Sequence, residues 1–219
     1  MTTGFKLDAL DLAALLCSRV CHDVINPVGA IVNGLEVLED EDDPATKAFA
    51  IELIKKSSKN ASARLQFARV AFGAAGSAGA SIDLGDAEKV AQGFIHDDKI
   101  QLSWSAPRLL MPKNLVKLLL NLLVVATSTI PRGGSIVANV TGDAEKPEFD
   151  ILATGPHSRV PVGLLALLDG EPEHGQLDSH HIQPYYAGLI ARAAGMKVMV
   201  EALDGSVSIK STPVAATVL

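Results

Sequence analysis

Apolar side chains recur every three or four residues through the first part of the chain, then give way to mixed spacings, which divides the sequence into two parts of different build. Leu12, Leu16, Val20, Val24, Val28, Ile31, Leu35 and Leu38 fall within roughly 80° either side of one direction at about 100° per residue. This predicts one helix over about residues 8–39 with a buried stripe, ending at the acidic cluster Glu39 to Asp43. Asp43-Pro44 has the chemistry of an N-cap and first-turn proline. It opens a second helix through Ala50, Leu53, Ile54, Ala61, Leu65, Ala68 and Phe72, stopped by Gly73. A helical hairpin over residues 1–75 results. The small residues between Gly73 and Ser81 have the composition of a flexible linker.

From residue 82 to residue 219 the element types alternate. Helical spacing is expected at Asp86 to His96, Pro112 to Thr129, Val162 to Leu168 and Ile182 to Ala194. Strand-like alternation is expected at Lys99 to Trp104, Ser135 to Val140, Glu148 to Ala153, Lys197 to Ala202, Ser206 to Ser211 and Ala215 to Leu219. That is the pattern of an α/β sandwich, so the predicted fold is an α-helical hairpin followed by an α/β domain. Two long amphipathic helices cannot cover both stripes against each other alone. The expected partner is a second copy, giving a homodimer with a two-fold four-helix bundle.

Composition narrows the function classes. The chain has 219 residues, 48% hydrophobic and 20% charged, with a net charge of -6; an acidic balance disfavours a nucleic-acid backbone or an anionic membrane as partner. The start lacks the order of a signal peptide, and the longest apolar stretch, Leu115 to Ile130, is broken by Lys117, Asn121, Thr127 and Ser128. A cytoplasmic protein is expected. Cys17 and Cys21, one helical turn apart, provide too few ligands for a closed metal site even with His22, so no metal is assigned to the chain.

His22 carries the candidate chemistry. It falls about 170° from the centre of the predicted stripe, beside Ser18, Arg19, Asn26, Gly29 and Asn33, and should face water among small and amide side chains. A histidine attacks phosphorus as neutral imidazole, its main form at pH 7 given an ordinary pKa of about 6.5. Asp23 is placed to orient the ring and act as base. Pro27 cannot donate to the carbonyl of Asp23, so a bend is expected one turn past the nucleophile.

The segment Arg19-Val20-Cys21-His22-Asp23-Val24-Ile25-Asn26-Pro27 resembles the phosphoacceptor box of two-component histidine kinases, in which His is followed by an acidic residue, then by Thr or Asn four places on and Pro five places on. His22, Asp23, Asn26 and Pro27 fill those places. The stretch from Asn114 to Gly134 resembles the asparagine box of the kinases' ATP-binding domain. Three departures follow. Val125 stands where an Asn holds Mg²⁺, Ala153 stands where an Asp binds adenine, and Ser179-His180-His181 replaces the glycine-rich stretch that wraps the phosphates. At about 1.5–3 kcal/mol each, the losses consume most of the about 8 kcal/mol of a micromolar site.

The whole chain therefore resembles the ChpT-type histidine phosphotransferases of bacterial phosphorelays. The resemblance implies a degenerate ATPase-like domain that binds no ATP, and transfer from the receiver of a CckA-like hybrid kinase through His22 to CtrA-like and CpdR-like response regulators, with Mg²⁺ supplied by the receiver. Leu15, Arg19, Asn26, Gly29 and Asn33 are expected to contact the receiver. An active kinase with a non-standard ATP site, and a non-enzymatic dimeric scaffold for receivers, are the alternatives. His174, His180 and His181 are expected to be loop residues.

Overall fold

Each of the two long helices starts at an aspartate that accepts the otherwise unpaired N–H groups of its first turn. In the computed structural model, which describes residues 5, 7–73, 80–95, 97–172 and 175–215, helix α1 spans Ala9–Asp40, and the Asp8 carboxylate accepts the N–H of Leu10 at 2.8 Å. Helix α2 spans Pro44–Ala71, and Asp43 accepts the backbone N–H and the hydroxyl of Thr46, both at 2.8 Å. Those bonds hold the Asp43 carboxyl below its ordinary value.

The helices pack closely at Gly34 of α1, where a Cβ would lie 2.7 Å from Cγ1 of Ile54. Pro27 and Gly34 are the buried positions of α1. Of the expected stripe, Leu12, Leu16, Val20, Val24, Ile31 and Leu38 are partly buried, whereas Val28 and Leu35 form with Ile25 and Val32 an exposed apolar line, with Ile25 64% and Val32 48% accessible. α1 continues unbroken through Pro27. Its length and composition, with a mean hydropathy of 1.3, would also allow a membrane span; here it lies along α2.

The remaining elements are β1 (Ser81–Asp83), α3 (Leu84–Ile95), β2 (Ile100–Ser105), β3 (Leu110–Pro112), α4 (Lys113–Thr129), β4 (Gly134–Gly142), β5 (Pro147–Thr154), α5 (Leu164–Asp169), α6 (Ile182–Ala193), β6 (Met196–Leu203) and β7 (Ser206–Pro213). The main sheet has the order β2-β4-β5-β7-β6, with β2 and β4 parallel and the other pairs antiparallel. Strict alternation of buried and exposed residues along β5 shows one face covered and one open. Helix α4, buried on nearly every side, fills the space between the sheet and the helices α2, α3 and α6.

Two expectations change. The ribbon β1/β3 was not foreseen, because three residues per strand are too few for a periodic signal. The strand expected at Ala215 to Leu219 is not formed at Ala215, and residues 216–219 lie outside the described residues, as do 74–79 of the expected linker.

The hairpin is also packed on the α/β unit through both helices, at the end away from the 41–43 turn. Phe67 and Ala71 of α2 belong to the main core, with the Phe67 ring stacked on Phe94 of α3 at 4.0 Å between centroids. Leu12, Leu15 and Leu16 of α1 pack on a second cluster of Leu167, Ile182 and Tyr185. Asn121, wholly buried in α4, donates to the carbonyls of Ala71 (3.1 Å) and Lys117 (2.7 Å) and accepts from Gln183 of α6 (2.5 Å). A buried amide left unbonded would cost about 1–3 kcal/mol, so this network ties α2, α4 and α6 in one arrangement.

Candidate functional site

The period of α1 that points Pro27 and Gly34 toward α2 leaves His22 exposed on another side. Asn26 and Asn33 share that exposure, and around Gly29 nothing lies within 4 Å of where a Cβ would stand. His22, Asn26, Gly29 and Asn33 are thus gathered on one open surface.

Three residues are placed differently from expectation. Leu15 packs against Leu167, Ile182 and Tyr185, which turns it into the α/β unit rather than toward an incoming receiver. The helical period placed it on the right side of α1, but a neighbour more than a hundred residues away in sequence occupies that side. Arg19 and Asp23 face each other one turn apart, with Arg19 Nε donating to Asp23 Oδ2 at 3.3 Å, and Arg64 of α2 brings Nη1 to 3.8 Å from Asp23 Oδ1. In this structure the Asp23 carboxylate is therefore held by two guanidiniums and not by the His22 ring. Arg64 also lies over the ring of Phe94, 5.4 Å from its centroid, so Asp23 is linked through it to α3.

His180, expected to be an ordinary loop residue, comes beside His22: its ring stacks on that of His22 at 5.9 Å between centroids, with 30° between planes. Next to this pair is a cavity of about 190 Å³ lined by Arg19, Val125, Ser128, Val162, His180 and Gln183, among others. Val125 is 2% exposed, its side chain taken up in the core. Ala153 is likewise fully buried. Arg64, His180 and the cavity were missed from the sequence. For His180 a signal existed, since it stands where a phosphate-wrapping stretch would stand; for Arg64 there was none, because the pairing depends on how α2 is turned against α1. Among the described residues no three His, Cys, Asp or Glu side chains converge as metal ligands.

Likeness to known proteins places this arrangement, an exposed histidine on a helical hairpin docked to a five-stranded α/β unit, among the histidine phosphotransferases. Residues 84–206, over half of the chain, match the family model described as histidine phosphotransferase C-terminal domain, and the chain belongs to that family, with the ChpT-type members. It is 51% identical over 206 residues to Protein phosphotransferase ChpT of Brucella abortus (strain 2308), covering 92% of this chain and 95% of that protein. A solved bacterial phosphotransferase structure, 47% identical, superposes with a TM-score of 0.86 over 94% of this chain and 98% of that one.

Proposed function

We propose that this phosphotransferase relays a phosphoryl group through His22 between receiver-domain aspartates and uses no ATP of its own. The observation that carries this is the exposed His22, beside the open space at Gly29, on a helix of a family phosphotransferase. The unprotonated ring nitrogen of His22 attacks the phosphorus of the receiver's aspartyl phosphate. A nitrogen–phosphorus bond forms, the acyl oxygen–phosphorus bond breaks, the aspartate leaves as carboxylate, and the other ring nitrogen gives its proton to Asp23, which passes it to water. The reverse steps load the next receiver. Mg²⁺ comes with the receiver. Asp23 orients the ring and accepts its proton after turning away from Arg19 and Arg64; partly exposed ion pairs of this kind hold it by no more than about 1 kcal/mol. Pro27 leaves the carbonyl of Asp23 without its helical donor, which allows the backbone beside His22 to adjust. Asn26, Gly29 and Asn33, with Arg19 at the edge, meet the receiver.

By its relation to ChpT-type proteins we assign the donor as a CckA-like hybrid kinase receiver and the acceptors as CtrA-like and CpdR-like regulators, in the cytoplasm. Incubation with a phosphorylated receiver tests the reading: acid-labile label should reach this chain at His22, and a chain that binds the receiver without taking label would be a scaffold instead.

Nucleotide independence rests on Val125 and Ala153, buried apolar side chains where the kinase resemblance places groups for Mg²⁺ and adenine. A micromolar site at millimolar MgATP would stabilise the fold by about 4 kcal/mol, or about 10 °C for a chain of this size. No shift is expected in melting with MgATP, and a shift of several degrees would revive the kinase alternative.

The homodimer rests on the exposed line Ile25, Val28, Val32 and Leu35. Its i, i+3, i+7, i+10 spacing is that of a seam between helices, and a second α1 presents the same line about a two-fold axis. A carboxylate buried in that seam costs far more than an apolar contact returns, so Val28→Asp with Val32→Asp should convert a dimer to a folded monomer in sedimentation at micromolar concentration. A wild-type monomer under the same conditions would remove the dimer from this account.

A further inference from the structure

The segment ahead of α6 is not used by the transfer chemistry above, yet it is built with care. Asp178 Oδ1 accepts the backbone N–H groups of His180 and His181, each at 2.8 Å, and pairs with Nδ1 of His181 at 2.8 Å. Burial draws the Asp178 carboxyl upward, but the bonds from His181 and His180 outweigh it and keep the group below its ordinary value. The turn so fixed carries the His180 ring against His22, and that ring makes no hydrogen bond of its own among the described residues. Arg19 lines the same cavity as His180. Helix α6, 12 residues long, begins at Ile182 and adds the positive end of its dipole close by.

We propose that His180, with Arg19 beside it, forms an anion-receiving site for the phosphoryl group carried on His22, keeps that group as the dianion and slows its loss to water. This rests on the reading of His22 as the phosphoacceptor. A phosphoryl group carries close to two negative charges at neutral pH, and a cation at ring-stacking distance favours the dianion over its protonated form. Hydrolysis adds water to phosphorus and breaks the nitrogen–phosphorus bond, releasing inorganic phosphate and the imidazole, which departs with a proton. Protonation of the phosphoryl group or the ring promotes that step, and neighbouring positive charge opposes both protonations. The charged and titratable groups around His180 are His22 and Arg19 from α1, with Asp23 paired to Arg19, and Asp178 and His181 from its own turn. Asp178 and Asp23 stay anionic but are turned to their own partners, the 180–181 turn and Arg19, so His180 and Arg19 are the donors at the cavity beside His22. His180 is a positioning residue in this scheme, acting through the phosphoryl group and not on the incoming receiver. The stretch that wraps nucleotide phosphates in the kinases thereby serves the phosphorylated histidine.

The full chain is phosphorylated with phosphoramidate, the modified histidine is located by mass spectrometry, and its decay without receiver is followed by phosphorus NMR at neutral pH. His180→Ala should shorten the lifetime of phospho-His22 about two- to fivefold, the range one partly exposed ion pair supplies. His180→Arg should restore the lifetime, which a merely structural role for the ring would not. Equal lifetimes, or a longer lifetime in His180→Ala, with phosphate on His22, would overturn this inference alone. Phosphate on other histidines with none on His22 would overturn it together with the phosphoacceptor reading.

Discussion

His22→Gln is expected to bring phosphoryl uptake from a labelled receiver, and return to a second receiver, down to background while the fold stays intact. Glutamine keeps a polar side chain of similar reach but has no basic lone pair to attack phosphorus, so the nitrogen–phosphorus bond has nothing from which to form. The side chain is exposed, touching the His180 ring, and exposed substitutions change stability by within about 0.5 kcal/mol. Fold and chemistry therefore separate at this residue. Asp23→Asn should slow transfer without ending it, by up to the about 10²- to 10⁴-fold that a positioned base contributes. It also releases Arg19 and Arg64, both paired to that carboxylate, so the measured rate reports the charge at position 23 as well as the base. Rapid-quench transfer assays beside thermal melts separate the two outcomes. Uptake by His22→Gln at the wild-type rate, with the label on another histidine, would defeat the assignment.

Phe67→Ala should be the most damaging of the simple truncations at the junction of hairpin and α/β unit. Phe67 is 1% exposed, stacks on Phe94 at 4.0 Å and meets Phe72 edge-on at 6.5 Å. Its neighbours come from α2, α3 and the main core, so they cannot all collapse into the space left behind. Truncation of a buried Phe to Ala costs about 3–5 kcal/mol, and at about 2–4 °C per kcal/mol for a chain of this length the melting temperature should fall by about 6–20 °C. Because α2 reaches into the main core and α1 packs on α6, calorimetry should show one transition that moves as a whole. A second transition unaffected by the substitution would mean that the hairpin and the α/β unit fold independently, as a flexible linker between separate domains had suggested.

The motif at residues 19–27 was legible because it depends on covalent neighbours: His22, Asp23, Asn26 and Pro27 lie at spacings that survive in any helix. The Asp43-Pro44 helix start and the alternation along β5 were legible for the same reason, since caps and pleats are set by residues a few positions apart. The resemblance to kinases made the α/β unit recognisable even where Val125 and Ala153 depart from the kinase pattern. Tertiary structure alone decided which flank of α1 meets which neighbour. Pro27 and Gly34 carry no strong hydrophobic signature, yet they form the face against α2, while the more apolar Ile25, Val28, Val32 and Leu35 are left outside. Leu15 was drawn into the cluster of Leu167, Ile182 and Tyr185, Asp23 was taken by Arg64 from the other helix, and His180 was brought to His22. Each of these contacts joins residues far apart in the chain. A periodic pattern gives the azimuth of a side chain on its own helix, but its partner is set by the rotation and docking of a second element, which comes from the packing of the whole core.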